Sequence, residues 1–308
     1  MKKIVVGGND AGQRTDKFLT KLLYGVPAGM IYKWLRKKRV KVNGKKADGA
    51  YRLADGDVLE LYINDEFFAE NEKRKSALPA YLLEGRELRV VYEDGNILVA
   101  DKPSGLSAHS PFGTDGDCLI YRIQAYLYQK GEFDPRTENT FSPALCNRID
   151  RNTSGRVIAA KNAAALRGIN EKIRNREIEK YYILRTEGVM SPRAGTLEGY
   201  ILKDEKTHSV KFYKNEVKGA KRAATEYRVL DDGGLTEVRL LTGRTHQIRA
   251  SFAAAGHPLC GDVRYGAQKN GEKDFQDLRA YKIVFSFKTP SAELGYLDGK
   301  AIETEKHI

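Results

Sequence analysis

No apolar run in this chain is longer than a strand, and that restricts its folds more than any other feature. A membrane-crossing helix needs about 20 consecutive apolar residues, so no span is expected and the core must be assembled from many short elements. With 308 residues there is chain enough for a small domain and a larger one. The start, MKKIVVGGNDAGQR, reaches Gly and Asp too early for a signal-peptide core, and a cytoplasmic location is expected. Cys118, Cys146 and Cys260 lie far apart with neither metal-ligand nor redox spacing, so reduced thiols are expected.

The first sixty residues change period in a readable order. From Arg14 to Leu23 the apolar side chains Phe18, Leu19, Leu22 and Leu23 form a helical stripe, and Ile31, Trp34 and Leu35 repeat it in a second helix. Val40 and Val42 then alternate with Arg39 and Lys41 ahead of the tight-turn pair Asn43-Gly44, and Val58 to Ile63 supplies another strand after Asp55-Gly56. Across this unit runs KWLRKKRVKVNGKK, in which Lys33, Arg36, Lys37, Lys38, Arg39, Lys41, Lys45 and Lys46 make eight of fourteen residues basic and none is acidic. Apolar Trp34, Leu35, Val40 and Val42 interleave with the charges, so the run should be folded. A solvated helix face is the plain alternative. The formal net charge of +12 points to a polyanionic partner, because clustered cations release counterions from phosphates. Over residues 12–63 the segments RTDKFLTKLL, KWLRKKRVKVNGKK and LADGDVLEL, in that order, resemble the ribosomal protein S-four-like RNA-binding domain. That resemblance implies a small helix-plus-sheet module offering a basic surface to structured RNA.

Residues 64–80, NDEFFAENEKRKSALPA, are polar, mixed in charge and aperiodic, and the boundary is placed here: a binding domain over 1–75, a linker to about 80, and a second domain over 81–308. The second domain opens on a hairpin, Val90–Tyr92 and Ile97–Ala100 around Glu93-Asp94-Gly95-Asn96, closed by Lys102-Pro103. Strands are expected over Gly155–Ala160, KYYILRTEG and Leu278–Phe287, with a weaker one over Tyr296–Ile302. Helices are expected over Ala163–Ile173 and at the end of EYRVLDDGGLTEVRLLTGRTHQIRASFAAAG, which reads strand, turn, strand, Gly turn, helix. The class is α+β, with a mixed, mainly antiparallel sheet.

One stretch asks for a chemical explanation. CNRIDRNTSGRVIAAKN sets Asp150 between Arg148 and Arg151 beside a Thr-Ser-Gly turn. An isolated Asp-Arg pair is ordinarily a surface salt bridge. His109, His208, His246, His257 and His307 form no ligand pair and no carboxylate cluster joins them, so metal hydrolysis is not indicated. Ser154 lacks the Gly two residues before it that a nucleophile elbow carries. No Walker loop or paired-Gly dinucleotide motif is present, which leaves an acid working without metal on a nucleic acid.

Four segments in order, YEDGNILVADKPSGL, NRIDRNTSG, KYYILRTEG and LTGRTHQIRASFAAAGHPLCGDVRYG, resemble the RluA-like pseudouridine synthases over nearly all of residues 88–287. The family usually shows His-Arg-Leu-Asp where this chain has Asn147-Arg148-Ile149-Asp150, and Arg279 stands where relatives commonly carry His; no catalytic weight falls on Arg279. The resemblance implies isomerisation of uridine to pseudouridine within RNA, with no metal or organic cofactor. Asp150 matches the family's essential aspartate, acting at the ribose either on the anomeric carbon or on the proton of the neighbouring 2′ carbon. Arg249 matches the arginine that pairs with it, and Tyr182 the tyrosine that stacks on uracil and assists loss of the carbon-5 proton, with Tyr181 on the opposite strand face. Arg148 and Arg151 shape the loop or contact phosphate; Arg244, His246 and Gln247 support the loop or the RNA backbone; Lys102 contributes to the pocket wall. The expected partner is RNA, ribosomal first and transfer RNA second, with no membrane and a monomeric protein. A non-catalytic RNA-binding or ribosome-associated protein remains the alternative, and a metal-dependent nuclease a weaker one.

Overall fold

The computed structural model describes residues 1–69, 72, 78–110, 116–204, 209–269 and 275–306. Residues 70, 71 and 73–77 of the expected linker, as well as His208 and His307, lie outside the described residues. Contacts gather the chain into two compact units, Met1–Glu87 with Ile120–Ala144 and Ala160–Arg167, and Leu88–Leu119 with Leu145–Ala159 and Gly168–Ile308.

In the first unit the two expected helices form as α1 (Thr15–Leu22) and α2 (Ala28–Arg36). They lie with a sheet of order β1-β4-β2-β3, built from β1 (Lys2–Val5), β2 (Val40–Val42), β3 (Lys45–Lys46) and β4 (Val58–Leu61). Asn43 and Gly44 both have positive φ, 51° and 76°, the geometry that a two-residue hairpin of this twist requires. The apolar stripes meet in one core with Phe18, Leu19, Trp34, Val40 and Leu59 at its centre. That core extends to Phe68, with the Phe67 ring edge-on to Trp34 at 4.9 Å, so the beginning of the stretch expected to be linker is packed rather than free. Segment 120–144 joins this unit through polar bonds that leave no periodic trace: buried Asp10 accepts from Asn139 Nδ2 at 2.8 Å and Thr140 Oγ1 at 2.6 Å.

The second unit is organised by one sheet, with strand path β11-β10-β12-β13-β9-β14-β8-β6-β5. Its members are β5 (Val90–Glu93), β6 (Ile97–Lys102), β8 (Ser154–Ala160), β9 (Ile178–Arg185), β10 (Ala194–Lys203), β11 (Val210–Tyr213), β12 (Lys221–Val229), β13 (Leu235–Leu240) and β14 (Leu278–Phe285). β7 (Ala144–Leu145) pairs with β8, and β15 (Ala301–Glu303) with β14. The pairings are antiparallel from β11 through to β14, whereas β14 meets β8 in parallel, so the class is α+β with a mixed sheet. Of the remaining helices, α3 (Leu119–Gln129) falls almost wholly in the first unit, α4 (Ala163–Arg174) begins in the first and ends in the second, and α5 (Gln247–Ala254) belongs to the second.

Gly155 is what lets β8 approach β14. Its φ is +114°, and a Cβ there would fall 2.1 Å from the Ala280 carbonyl oxygen, so no other residue fits the Thr-Ser-Gly turn. Ala280 in turn pairs with Tyr182 on β9, which places the turn after Asp150 two strands from Tyr182. Elsewhere the structure departs from expectation. In place of a strand over Tyr296–Ile302 there is a 3-10 turn, Gly295–Leu297, followed by β15, because the Asp298 carboxylate caps Phe287 N–H at 2.7 Å and breaks the extended run. β10 is mostly solvent-facing and carries no strong sequence signal, whereas α3, absent from the expected helices, has a buried helical stripe in Leu119, Ile120, Ile123 and Leu127.

Candidate active site

Asp150 sits in the loop between β7 and β8, and that loop is tied down at every step. Asn147 Oδ1 accepts the Ile158 N–H at 2.8 Å, which gives the unusual first residue of the motif a structural task. Thr153 N–H closes a turn on the Asp150 carbonyl at 3.1 Å. Ser104 Oγ donates to the Asn152 carbonyl at 2.8 Å, and Arg151 Nε to the Gly105 carbonyl at 2.9 Å. The loop therefore offers Asp150 on a rigid support, its side chain 27% exposed to the cavity.

Neither neighbouring arginine pairs with this acid. Its partner is Arg249 on α5, whose Nη1 lies 3.2 Å from Asp150 Oδ2. The guanidinium is buried and held from its other edge by Asp262, with Nε to Oδ2 at 2.7 Å and Nη2 to Oδ1 at 2.8 Å. This two-pronged grip fixes the plane of the fork. The Tyr265 ring lies beneath it, 4.8 Å from the guanidinium carbon, and adds a cation–π contact. Burial works against the Arg249 charge, but the bonds and charge of Asp262 together with Asp150 outweigh it and raise its pKa. Sequence reasoning does not single out Asp262 and Tyr265, although both stand in the GDVRYG segment that carries part of the resemblance.

His246 completes the acid's surroundings. Its Nδ1 bonds the Tyr265 hydroxyl at 2.8 Å and its Nε2 lies 3.8 Å from Asp150 Oδ2. Burial lowers its pKa; Asp150 pulls it back up and Arg249 and Arg264 push it down, with the net shift downward. Its φ of 50° is a left-handed backbone on a residue other than glycine, the kind of local strain that collects at functional sites. All of these contacts fall on Oδ2, so among the described residues Asp150 Oδ1 has no partner.

Asp150, Arg249, His246 and Tyr182 line one cavity of about 1030 Å³, roomy for a nucleotide drawn out of its stack. Tyr182, on β9, is 5% exposed, and its hydroxyl has no hydrogen-bond partner among the described residues. Burial, with the Asp150 charge, raises the phenol pKa well above its ordinary value, so the hydroxyl is protonated at neutral pH. Tyr181 turns to the other face of the strand and bonds Glu179 at 2.6 Å. Two positions before Tyr182, Lys180 also lines the cavity, its pKa lowered by burial; it opens the KYYILRTEG motif and shares a strand face with Tyr182, and both are signals open in the sequence.

Of the residues expected to shape the pocket, support its loops or contact RNA, Lys102 and Gln247 hold the loops. Lys102 is 0% exposed, and its three ammonium hydrogens go to the carbonyls of Pro103 at 2.9 Å, Leu106 at 2.7 Å and Arg151 at 2.7 Å. It has no hydrogen left for a substrate; it fastens the loop that carries Asp150. Burial lowers its pKa to about 8, against the pull of Asp150. Gln247 is likewise buried, donating to Ala224 O and Thr225 Oγ1 and accepting from Thr242 and the Arg244 N–H, so it stiffens the turn before α5 rather than meeting RNA. Arg148, Arg151 and Arg244 are exposed and line the cavity, with Arg244 Nε on the Arg222 carbonyl at 3.1 Å. Arg279 grips Asp101 at 3.1 and 2.9 Å. In the first unit Lys33, Arg36, Lys37, Lys38, Arg39, Lys45 and Lys46 are exposed, while Lys41 is half-buried with its ammonium 5.1 Å from the Tyr62 ring centre.

Comparison with known proteins identifies the family and the fold. The RNA pseudouridylate synthase family model matches residues 96–254, and the S4 domain model matches residues 13–59. An uncharacterized RNA pseudouridine synthase of Mycoplasma capricolum is 33% identical over 306 residues, covering 98% of this chain and 97% of that protein. The ribosomal large subunit pseudouridine synthase C of Vibrio cholerae is 32% identical over 266 residues, covering 84% of this chain and 78% of the other. Among solved structures, human RNA pseudouridylate synthase domain containing 4 shares the fold, with a TM-score of 0.52 at 21% identity over 64% of this chain and 84% of that one. Among the described residues no helix is long and apolar enough to cross a membrane.

Proposed function

The chain belongs to the RNA pseudouridylate synthase family, and from that premise we propose that it isomerises particular uridines in structured RNA, using Asp150 as the reacting acid. Large-subunit ribosomal RNA is the first candidate substrate, in keeping with the names of relatives such as the Vibrio cholerae protein, and transfer RNA the second. Residues 1–75 hold the RNA through their basic surface, and residues 81–308 carry the chemistry.

The observation that carries the reading is the asymmetry at Asp150. Arg249 and His246 both approach Oδ2, while Oδ1 has no partner among the described residues, and Asp150 lines the cavity. A carboxylate held by one oxygen leaves the other free to meet the ribose, by attack on the anomeric carbon or by taking the 2′ proton. Arg249 orients that carboxylate and is itself oriented by Asp262 and Tyr265. The Tyr182 ring offers a stacking face for the extruded uracil. Because its phenol is protonated, its hydroxyl works as a neutral relay rather than as a phenolate, taking the carbon-5 proton as it gives its own to solvent water. Lys180 lines the same cavity and offers a cation to the base or its phosphate.

The test is tritium release from RNA labelled at uracil carbon 5. The parent protein is expected to release it, and Asp150→Asn to bind RNA without turnover, since the amide preserves volume but not the reacting oxygen. Parental turnover in that variant would remove Asp150 from the mechanism. Mapping pseudouridines in total RNA with and without the gene identifies the target uridine.

A further inference from the structure

Among the described residues four that are not glycine hold a left-handed backbone: Lys38, Asn43, Arg176 and His246. Asn43 opens a tight turn and His246 belongs to the site. The other two are cations, and each is the second residue past the end of a helix. After α4 the Arg176 N–H donates to the Ile173 carbonyl at 3.1 Å and the Glu177 N–H to the Lys172 carbonyl at 2.8 Å. After α2 the Lys38 N–H reaches the Leu35 carbonyl at 3.2 Å and the Arg39 N–H the Trp34 carbonyl at 3.0 Å. Both sets are the paired bonds of a Schellman ending, whose left-handed position is normally glycine because a Cβ is disfavoured there. Keeping a long cation where glycine would be easier points to a use for its side chain. Lys38 already lies in the basic run expected to meet RNA.

Arg176 lies on the rim of the cavity, and two more exposed cations share that rim: Arg174, the last residue of α4, and Lys288, beyond β14. A buried staple brings these two distant segments together. Lys172 Nζ bonds Glu177 Oε2 at 2.7 Å and Thr289 Oγ1 at 2.7 Å, while Glu177 accepts the Lys288 N–H at 3.1 Å and the Thr289 N–H at 3.3 Å. Both charged groups are buried, and a buried pair of this kind is a weak source of stability but a firm setter of position. What it positions is the chain on either side, carrying Arg174, Arg176 and Lys288. Among the described residues none of the three has a carboxylate within ion-pair distance. Three unpaired cations on one edge repel one another and together suit a polyanion.

We propose that Arg174, Arg176 and Lys288 form a phosphate clamp that grips the RNA backbone flanking the nucleotide in the cavity; the proposal rests on the reading of RNA as substrate. The plainer possibility is that Arg176 only complements the helix dipole at the end of α4. The two differ in what happens when glycine is restored.

Binding of a labelled oligouridylate is measured between about 50 and 200 mM salt, with melting temperature read on the same proteins. Arg174→Gln, Arg176→Gln and Lys288→Gln together are expected to make the slope of log affinity on log salt shallower by about 2, at about 0.7 per lost contact on a single strand. Arg176→Gly alone should melt higher than the parent, with its backbone strain relieved, while losing about 0.7 of that slope. A purely structural role cannot move the two readouts in opposite directions. Parental slope and affinity in the triple variant overturn the clamp, as does an Arg176→Gly protein that melts lower and binds RNA as the parent does. Should the triple variant fail to fold, Arg176→Gly decides the question. A parent that binds with the full slope yet releases no tritium from any labelled transcript would end the catalytic reading and leave the clamp standing.

Discussion

Removing Asp262 should disturb this protein more than removing Asp150, although of the two only Asp150 lines the cavity. Arg249 and Asp262 are 7% and 1% exposed, and two short bonds of 2.7 and 2.8 Å join them. Taking away one partner of a buried pair ordinarily costs about 3–5 kcal/mol. Asp150 remains near Arg249 at 3.2 Å, and an asparagine at 262 keeps one acceptor, so the expected loss for Asp262→Asn is about 2–3 kcal/mol. In a domain of this size that is a fall in melting temperature of about 5–10 °C. Asp150→Asn removes a single, longer bond to a carboxylate that is 27% exposed, and Arg249 keeps Asp262, so about 1 kcal/mol or less is expected. Both variants should lose tritium release, Asp262→Asn because an unanchored Arg249 swings onto both oxygens of Asp150 and occupies the free one. The double variant leaves Arg249 buried with no carboxylate and should fall below the sum of the singles by about 1 kcal/mol or more. Urea denaturation and single-turnover tritium release on the four proteins make the measurement. Equal melting of the two single variants, or strict additivity, would refute the view that Asp262 anchors the fork.

Three further outcomes are expected. Tyr182→Phe keeps the stacking ring and should slow the late proton loss, seen as a larger isotope effect with uridine deuterated at carbon 5, whereas Tyr182→Leu forfeits about 1–3 kcal/mol of stacking at the earlier steps; a Phe variant with parental rate and no isotope effect leaves Tyr182 a positioning role alone. Gly155→Ala drives a Cβ to 2.1 Å from the Ala280 carbonyl oxygen at φ +114° and should lose about 4 kcal/mol or more in urea, while a near-parental midpoint would show that β8 and β14 separate easily. The His246 pKa is lowered on folding, so between that value and its ordinary 6.5 the unfolded chain binds more protons, and stability is lost as pH falls below about 6.5. In His246→Asn, which accepts the left-handed backbone, the acid-side fall in melting temperature should be shallower; an unchanged profile assigns the fall to other groups.

Much of the local architecture is open to reading from the sequence. The stripes of Phe18, Leu19, Ile31 and Trp34 specify α1 and α2 because helix formation answers to neighbours three and four positions away. Asn43-Gly44 specifies its hairpin because two residues alone set the sign of φ there. Asp150, Tyr182 and Arg249 are found through ordered motifs, each a short string whose backbone context travels with it. What escapes is direction and partnership across distance. Nothing around Lys102 says that its ammonium turns inward onto three carbonyls, because the carbonyl of Arg151 arrives from a loop about 50 residues away. The tie between Asp10 and Thr140, the grip of Asp262 on Arg249, and the meeting of Arg176 with Lys288 on one rim likewise depend on which strands lie side by side. Periodicity records which face of an element is apolar. It does not record which remote polar group will stand opposite, since that follows from strand order and register, and these are settled only when the whole sheet packs.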